Sequence, residues 1–375
     1  MPTKQHIAYL DSIRGLAALT VLSEHFIIAY GLPCQETVCQ YVLDYSPLHF
    51  WWDGGAAVSM FFVLSGLVLS LKYFRNRPTA DLNQFSLMAY TIARLCRIWL
   101  PYCAVLAISA LLYNQFTLNP PSQTPLPASD WITDLWQRHP LKVLDMLREA
   151  FLLKLPEVDV LLPQAWTLSI ELCLSLLLPL ALLITTRGTS WLVFFTLLAV
   201  CFLKLPVFAI HFVLGLLLAQ QHALIADFLG AKPWLRRLIA VLGFMFYTLG
   251  DAVQLQIPEP LLWTSSGLGA SLLLMYALSS ERCQKVLCWW LFRLLGKVSY
   301  SSYLVHIAVL LCVTPYLLKG LATISAEHTL LWFGGWLLTV VVVQLLSLFS
   351  YYYLEIPCVS LGKRLVQHWY SIKTK

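Results

Sequence analysis

The chain has 375 residues, 59% of them hydrophobic and only 12% charged, with a formal net charge of +6 and a mean hydropathy of +0.72. A soluble domain carries about 25% charged residues, so this composition excludes a water-soluble enzyme. The modest basic surplus is not the footprint of a nucleic-acid binder either, because its position along the chain follows membrane topology. Windows of about 20 apolar residues predict ten spans, over residues 7–30, 54–73, 98–116, 165–184, 190–204, 206–222, 236–252, 260–279, 298–318 and 329–353. The expected fold class is all-α: a polytopic bundle in one integral-membrane domain over residues 1–375.

The first span holds LDSIRGLAALTVLSEHFIIAY, Leu10 to Tyr30. It is too long for a signal-peptide core, and no small-residue cleavage site follows it, so it reads as a first membrane helix. Eleven helical steps separate Arg14 from His25. They bring the two to within roughly 20° of one direction, roughly 16 Å apart along the axis, with Ala18 and Val21 between them. Ionisable groups in a span are costly and usually face a bundle interior or a water-filled cavity. The alternative is an Arg14 that snorkels to headgroups and a neutral, packing His25. In the following polar loop, Cys34 and Cys39 are either a local disulfide, if the loop lies outside, or two free thiols.

The second span carries Phe61-Phe62-x-x-Ser65-Gly66. Small residues let helices approach closely, so this is either ordinary packing or a narrow lining for a thin ligand. Arg94 and Arg97 stand at the inner mouth of the third span. Residues three apart share a helix face, and two guanidinium forks there can hold phosphates; basic residues also flank most inner helix ends. The connection over 117–164 begins proline-rich and continues as an amphipathic helix or two on the membrane surface. The fourth span opens QAWTLSIEL. Its Glu171 has no basic residue in the same span, and a lone carboxylate in a span is a functional-site signal; packing against a polar partner elsewhere is the alternative. In the ninth span Ser299, Tyr303 and His306 share one face, which suggests a wet interior; a satisfied structural His306 is the alternative. His211 has no polar company and reads as structural. Glu355, two residues before Pro357, reads as a helix end.

Ten spans place both termini on one side. With that side inside, only Arg138, Lys142, Arg148, Lys154, Lys204 and Lys319 of the 25 basic residues fall outside. This bias orients the protein with both termini cytoplasmic. No spacing of His, Cys, Asp or Glu resembles a metal site.

Taken together these segments resemble the acyltransferase-3 family of integral-membrane acyltransferases. The resemblance rests on Arg14 and His25 as R-x10-H, Phe61-Phe62-x-x-Ser65-Gly66, Arg94-x-x-Arg97, and Trp166-Thr167-Leu168-Ser169-x-Glu171. Ser299-Tyr300-x-x-Tyr303-Leu304-x-His306 and Glu355-x-Pro357 complete it, all in the family's order. Two features depart from the pattern. Ser59 stands where many members have an acidic or amide residue, and no soluble domain follows the tenth span, as expected for a stand-alone form.

The resemblance implies a ten-helix enzyme of the bacterial inner membrane. It moves an acyl group, most often acetyl from acetyl-CoA, onto a hydroxyl of an envelope glycan or lipid-linked saccharide. It implies His25 as the essential catalytic residue, Arg14 as its partner, and Arg94 and Arg97 near the CoA. The residue chemistry is compatible with this. Anionic acyl-CoA meets a basic inner face, and pantetheine fits a groove lined by Phe61, Ser65 and Gly66. A hydroxyl acceptor from outside passes Glu171 and the surface segment 130–155; Glu171 joins His25 and Arg14 in the catalytic set by orienting the acceptor hydroxyl or the imidazole, and Ser299, Tyr303 and His306 bind the acceptor. His25 then acts either as general base or as a nucleophile that carries the acyl group; Arg14 binds the donor or stabilises charge on the thioester oxygen. No metal and no nucleic acid enters this scheme. The rival reading is a transporter or flippase for a lipid-linked or small polar substrate, which needs the same polar bundle without donor chemistry; no internal repeat of the kind transporters often show is visible.

Overall fold

The structure, a computed structural model, describes residues 5–34, 36–74, 80–82, 85–118, 124–136, 141–152, 161–252 and 259–373. Among these every regular element is helical. In chain order they are α1 (Gln5–Tyr30), α2 (Thr37–Tyr45), a 3-10 turn (Pro47–Trp51), α3 (Gly54–Leu71) and α4 (Leu87–Leu118). The short α5 (Asp130–Asp134) and α6 (Val143–Ala150) follow, then α7 (Ala165–Thr185), α8 (Thr189–Phe202), α9 (Phe208–Gly230) and α10 (Pro233–Ala252). The chain continues with α11 (Glu259–Ser279), α12 (Glu281–Leu287), α13 (Trp290–Cys312), α14 (Thr314–Ala322), α15 (His328–Ser350), a π turn (Tyr351–Glu355) and α16 (Ile356–Lys373).

Eight helical stretches among the described residues are long and apolar enough to cross a membrane. The other two expected spans are helical but fall short of that. Helix α8 has 14 residues, and α10 carries Arg236 and Arg237 in its first turn. The pair over 190–204 and 206–222 is two helices, α8 and α9, separated at Leu203–Val207. The connection between α3 and α4 carries Arg75 and Arg77, which lie outside the described residues.

The chain divides into two compact units. The first comprises Met1–Thr20, Leu43–Leu87 and Cys173–Lys297; the second comprises Val21–Val42, Met88–Leu172 and Val298–Lys375. The boundary thus falls inside α1, α2, α4 (after its first residue), α7 and α13.

In the first unit glycines set the helix spacing. Lipid supplies no hydrophobic drive for helix association, so close packing must do so, and small residues permit it. On α3, a Cβ added at Gly66 would run into the Phe212 carbonyl of α9; one at Gly215 would run into the Val63 carbonyl of α3. Gly15 of α1 and Gly296 of α13 oppose each other in the same way. Gly267 of α11 leaves the space that the buried His211 ring fills. Asp53 caps α3, its Oδ1 accepting from the Ala56 N–H at 2.7 Å.

In the second unit the packing is tied by side chains that reach backbone. Trp332 of α15 donates to the Gly31 carbonyl at 2.7 Å, and Trp336 donates to Ser23 Oγ at 3.0 Å. Helices α14 and α15 share the Thr314–Thr339 hydroxyl pair at 3.0 Å. Cys34 and Cys39 form a disulfide.

Three expectations are refined or corrected here. The segment expected on the membrane surface forms the helices α5 and α6, and the end of α6 is tied to α4. Trp99 Nε1 donates to the Ala150 carbonyl at 2.7 Å and Tyr102 Oη to the Glu149 carbonyl at 2.8 Å, which sets the end of α6 beside the middle of the candidate span Leu87–Tyr113. Irregular backbone at membrane depth is tolerated only where protein or trapped water satisfies it. The buried Glu149 carboxylate does this, accepting the N–H groups of Leu161 and Leu162 at 3.1 and 2.8 Å.

Second, α4 begins at Leu87, well before residue 98, so Arg94 and Arg97 lie inside a 32-residue helix. Third, Glu355 does not end a helix. It closes a π turn between α15 and α16, and Pro357 sits in the first turn of α16. Proline has no N–H to give to the continuing helical ladder, and the π turn before it is the kind of local adjustment that accompanies such a break. The buried Glu355 accepts from Ser301 Oγ at 3.2 Å.

Candidate active site

His25 lies in the second unit, five residues from the end of α1. Its Nδ1 is 2.8 Å from the Val21 carbonyl. A carbonyl oxygen can only accept, so Nδ1 carries the proton, and the lone pair of the neutral ring is at Nε2. Backbone geometry alone therefore selects the tautomer able to take a proton, or an acyl group, at Nε2.

Two rings flank that imidazole. His306 of α13 is 5.1 Å away between ring centroids, and Trp131 of α5 is 5.6 Å away. Helix α5 is held there by the Ser129 N–H, which donates to the Ala29 carbonyl at 2.8 Å. His306 repeats the arrangement of His25: its Nδ1 donates to the Tyr303 carbonyl at 2.8 Å, leaving the lone pair at Nε2. That atom is buried and has no hydrogen-bond partner among the described residues. The structural reading of His306 is thus met at one nitrogen and open at the other.

Beyond His306 lies a hydroxyl network. Tyr303 Oη and Thr167 Oγ1 are 2.6 Å apart, and Tyr303 Oη donates to the Gln164 carbonyl at 3.1 Å. Gln164 Nε2 donates to the Tyr303 and Leu304 carbonyls at 3.3 and 3.0 Å. Ser299, one turn before Tyr303 on the same face, is buried.

The carboxylate expected to stand alone has a partner on another helix. Glu171 Oε1 of α7 is 3.7 Å from Arg94 Nη2 of α4. The two arginines of Arg94-x-x-Arg97 consequently differ: Arg94 is buried and committed to a carboxylate, whereas Arg97 is exposed and makes no ion pair among the described residues. Pro101, four residues after Arg97, has no N–H to donate back to the Arg97 carbonyl.

Arg14, Phe61, Ser65 and Gly66 belong to the first unit. Arg14 Nη1 donates to Asp11 Oδ1 at 3.1 Å, one turn back on α1, beside the Gly15–Gly296 approach. Ala18 and Val21, expected between Arg14 and His25, are both buried. Gly66 is filled by the α9 backbone, so at that position the packing role is met directly; Ser65 beside it is buried. Gly66→Ala is expected to cost about 1–3 kcal/mol through overpacking, read as a lowered thermal midpoint in detergent. An unchanged midpoint would show that α3 and α9 separate freely.

Sequence reasoning missed Trp131 and Gln164. Gln164 stands at the head of QAWTLSIEL, two residues before the quoted motif, where a polar residue opening a span is a usable signal. Trp131 is brought to His25 by the fold of a connection and has no periodicity to reveal it.

Comparison with known proteins agrees with the residue pattern. The family model described as an acyltransferase domain, that of the acyltransferase-3 family, matches residues 7–352, from the first turn of α1 into the π turn. No curated protein and no solved structure matches the chain. A helical membrane protein whose sequence fits this model over nearly its whole length belongs to the acyltransferase-3 family and is a membrane acyltransferase.

Proposed function

We propose that this acyltransferase moves an acetyl group from acetyl-CoA to a hydroxyl of an envelope glycan or lipid-linked saccharide at the bacterial inner membrane, with His25 as the catalytic residue. The observation that carries the reading is the His25 ring itself. It is held by the Val21 carbonyl at Nδ1 and offers a lone pair at Nε2, beside a second imidazole and a tryptophan.

His25 Nε2 takes the proton of the acceptor hydroxyl as the oxygen attacks the thioester carbonyl. The tetrahedral intermediate collapses, the carbon–sulfur bond breaks, and Nε2 returns the proton to the departing thiolate. General base assistance of this kind contributes typically about 10²–10⁴-fold. The exposed Arg97 meets the anionic nucleotide end of the donor from the basic, cytoplasmic face. Arg94 and Glu171 neutralise one another and act as positioning residues near it. Tyr303, His306 and Ser299 line the acceptor side, and Arg14 serves the donor. The Cys34–Cys39 disulfide supports an outward-facing loop after α1, since such bonds persist in oxidising compartments. That agrees with cytoplasmic termini.

The test is the full chain in detergent with radiolabelled acetyl-CoA and extracted envelope glycan. Label in an alkali-labile ester of the glycan is the expected result. Neither ester nor released acetate, at any donor concentration, would overturn the reading in favour of transport.

A further inference from the structure

The polar atoms around Tyr303 have one chemical character. The orientation of each group is set by backbone carbonyls, which can only accept. His306 donates through Nδ1 to the Tyr303 carbonyl at 2.8 Å, so its Nε2 is an acceptor. Gln164 donates through Nε2 to that same carbonyl at 3.3 Å and to the Leu304 carbonyl at 3.0 Å, so its amide cannot be flipped and its Oε1 is an acceptor too. His306 is 1% and Gln164 3% exposed, and both acceptor atoms are buried with no partner among the described residues. A buried polar atom left without a hydrogen bond is costly. Two such atoms anchored on a single carbonyl, one of them on the ring next to His25, call for a ligand that brings hydrogen-bond donors.

We infer that Gln164 and His306 form a subsite that reads a second hydroxyl of the acyl acceptor, next to the hydroxyl that His25 deprotonates. The inference rests on the acyl-transfer reading above and adds a requirement to it: the acceptor is a neutral polyol, such as a sugar ring with adjacent hydroxyls. A carboxylate or phosphate set against these two atoms would meet their lone pairs. Tyr303 contributes as a positioning residue. Its carbonyl aligns both side chains, and its hydroxyl, bonded to Thr167 and to the Gln164 carbonyl, braces the start of α7 against α13. A site built to hydrogen-bond a hydroxyl rejects an analogue lacking it far more strongly than an apolar pocket rejects an extra methylene.

The experiment compares cis-1,2-cyclohexanediol with cyclohexanol as acceptors of label from acetyl-CoA, using the full chain in detergent. The two probes share a ring and differ by one hydroxyl. For the wild-type protein kcat/KM for the diol is expected to exceed that for cyclohexanol by about tenfold or more, with the difference mainly in KM. In Gln164→Met, and separately in His306→Phe, the ratio is expected to fall towards one. A wild-type ratio near one overturns the subsite while leaving acyl transfer intact, and assigns the two acceptor atoms to water. A high ratio that survives in both variants overturns the assignment of these residues. Failure to label either alcohol or the extracted glycan, with no acetate released, overturns acyl transfer itself, and the subsite falls with it.

Discussion

His25→Ala is expected to lower acetyl transfer by at least about 10²-fold, the lower end of what a positioned base contributes. The amount of folded protein in the membrane is expected to stay close to that of the wild type. The substitution removes one side chain that is only partly buried, and its one hydrogen bond among the described residues runs within the helix to a carbonyl one turn back. That carbonyl keeps its place in the α1 ladder, so α1 is not broken. The measurement is labelled ester formed per unit of detergent-purified protein, with acetate release recorded alongside. His25→Gln sharpens it: an amide nitrogen can still donate to the Val21 carbonyl, but the side chain has no basic lone pair at the far end. It is expected to be as inactive as alanine. A variant of either kind that keeps more than a tenth of the transfer rate would remove His25 from the chemistry and leave Trp131 and His306 surrounding a structural ring.

The second large effect concerns the Arg94–Glu171 pair. Arg94 is buried, with its side chain 9% exposed, whereas that of Glu171 is 27% exposed. Removing the carboxylate alone strands a guanidinium between α4 and α7. Breaking a buried pair from one side costs about 3–5 kcal/mol, and the partial exposure of Glu171 sets the expectation at the lower end. Glu171→Leu should therefore lower the thermal midpoint in detergent markedly. The double variant Arg94→Met, Glu171→Leu should recover most of the loss, because an apolar pair of similar volume replaces the charges. If the double variant is less stable than the single one, the two residues are not acting on each other. The same pair of proteins separates stability from donor binding. Arg97→Ala, at an exposed position, is expected to raise KM for acetyl-CoA with little change in midpoint.

These expectations change how the arginine motif is understood. Two guanidinium groups three residues apart look like one phosphate clamp. In the fold one of them is held by a carboxylate from another helix, which leaves Arg97 as the arginine for the anionic donor proposed above. Likewise Glu171 looked solitary because only its own span was in view. A carboxylate and a guanidinium that meet across two helices leave no trace in the periodicity of either.

What the sequence by itself determined was which segments leave water and which polar residues ride with them. Bilayer thickness selects apolar runs of about 20 residues, and helical geometry places Arg14 with His25, and Ser299 with Tyr303 and His306, on shared faces. These are local properties, written in consecutive residues. Only the tertiary structure decided that α4 extends back over Arg94 and Arg97, that the end of α6 tucks beside Trp99 and Tyr102, and that α15 passes Glu355 through a π turn instead of stopping. It also decided that Trp131 and His306 flank His25 and that Glu171 pairs with Arg94. Most of these depend on groups from distant parts of the chain meeting in the fold, and a polar group left unmet in a buried place is costly.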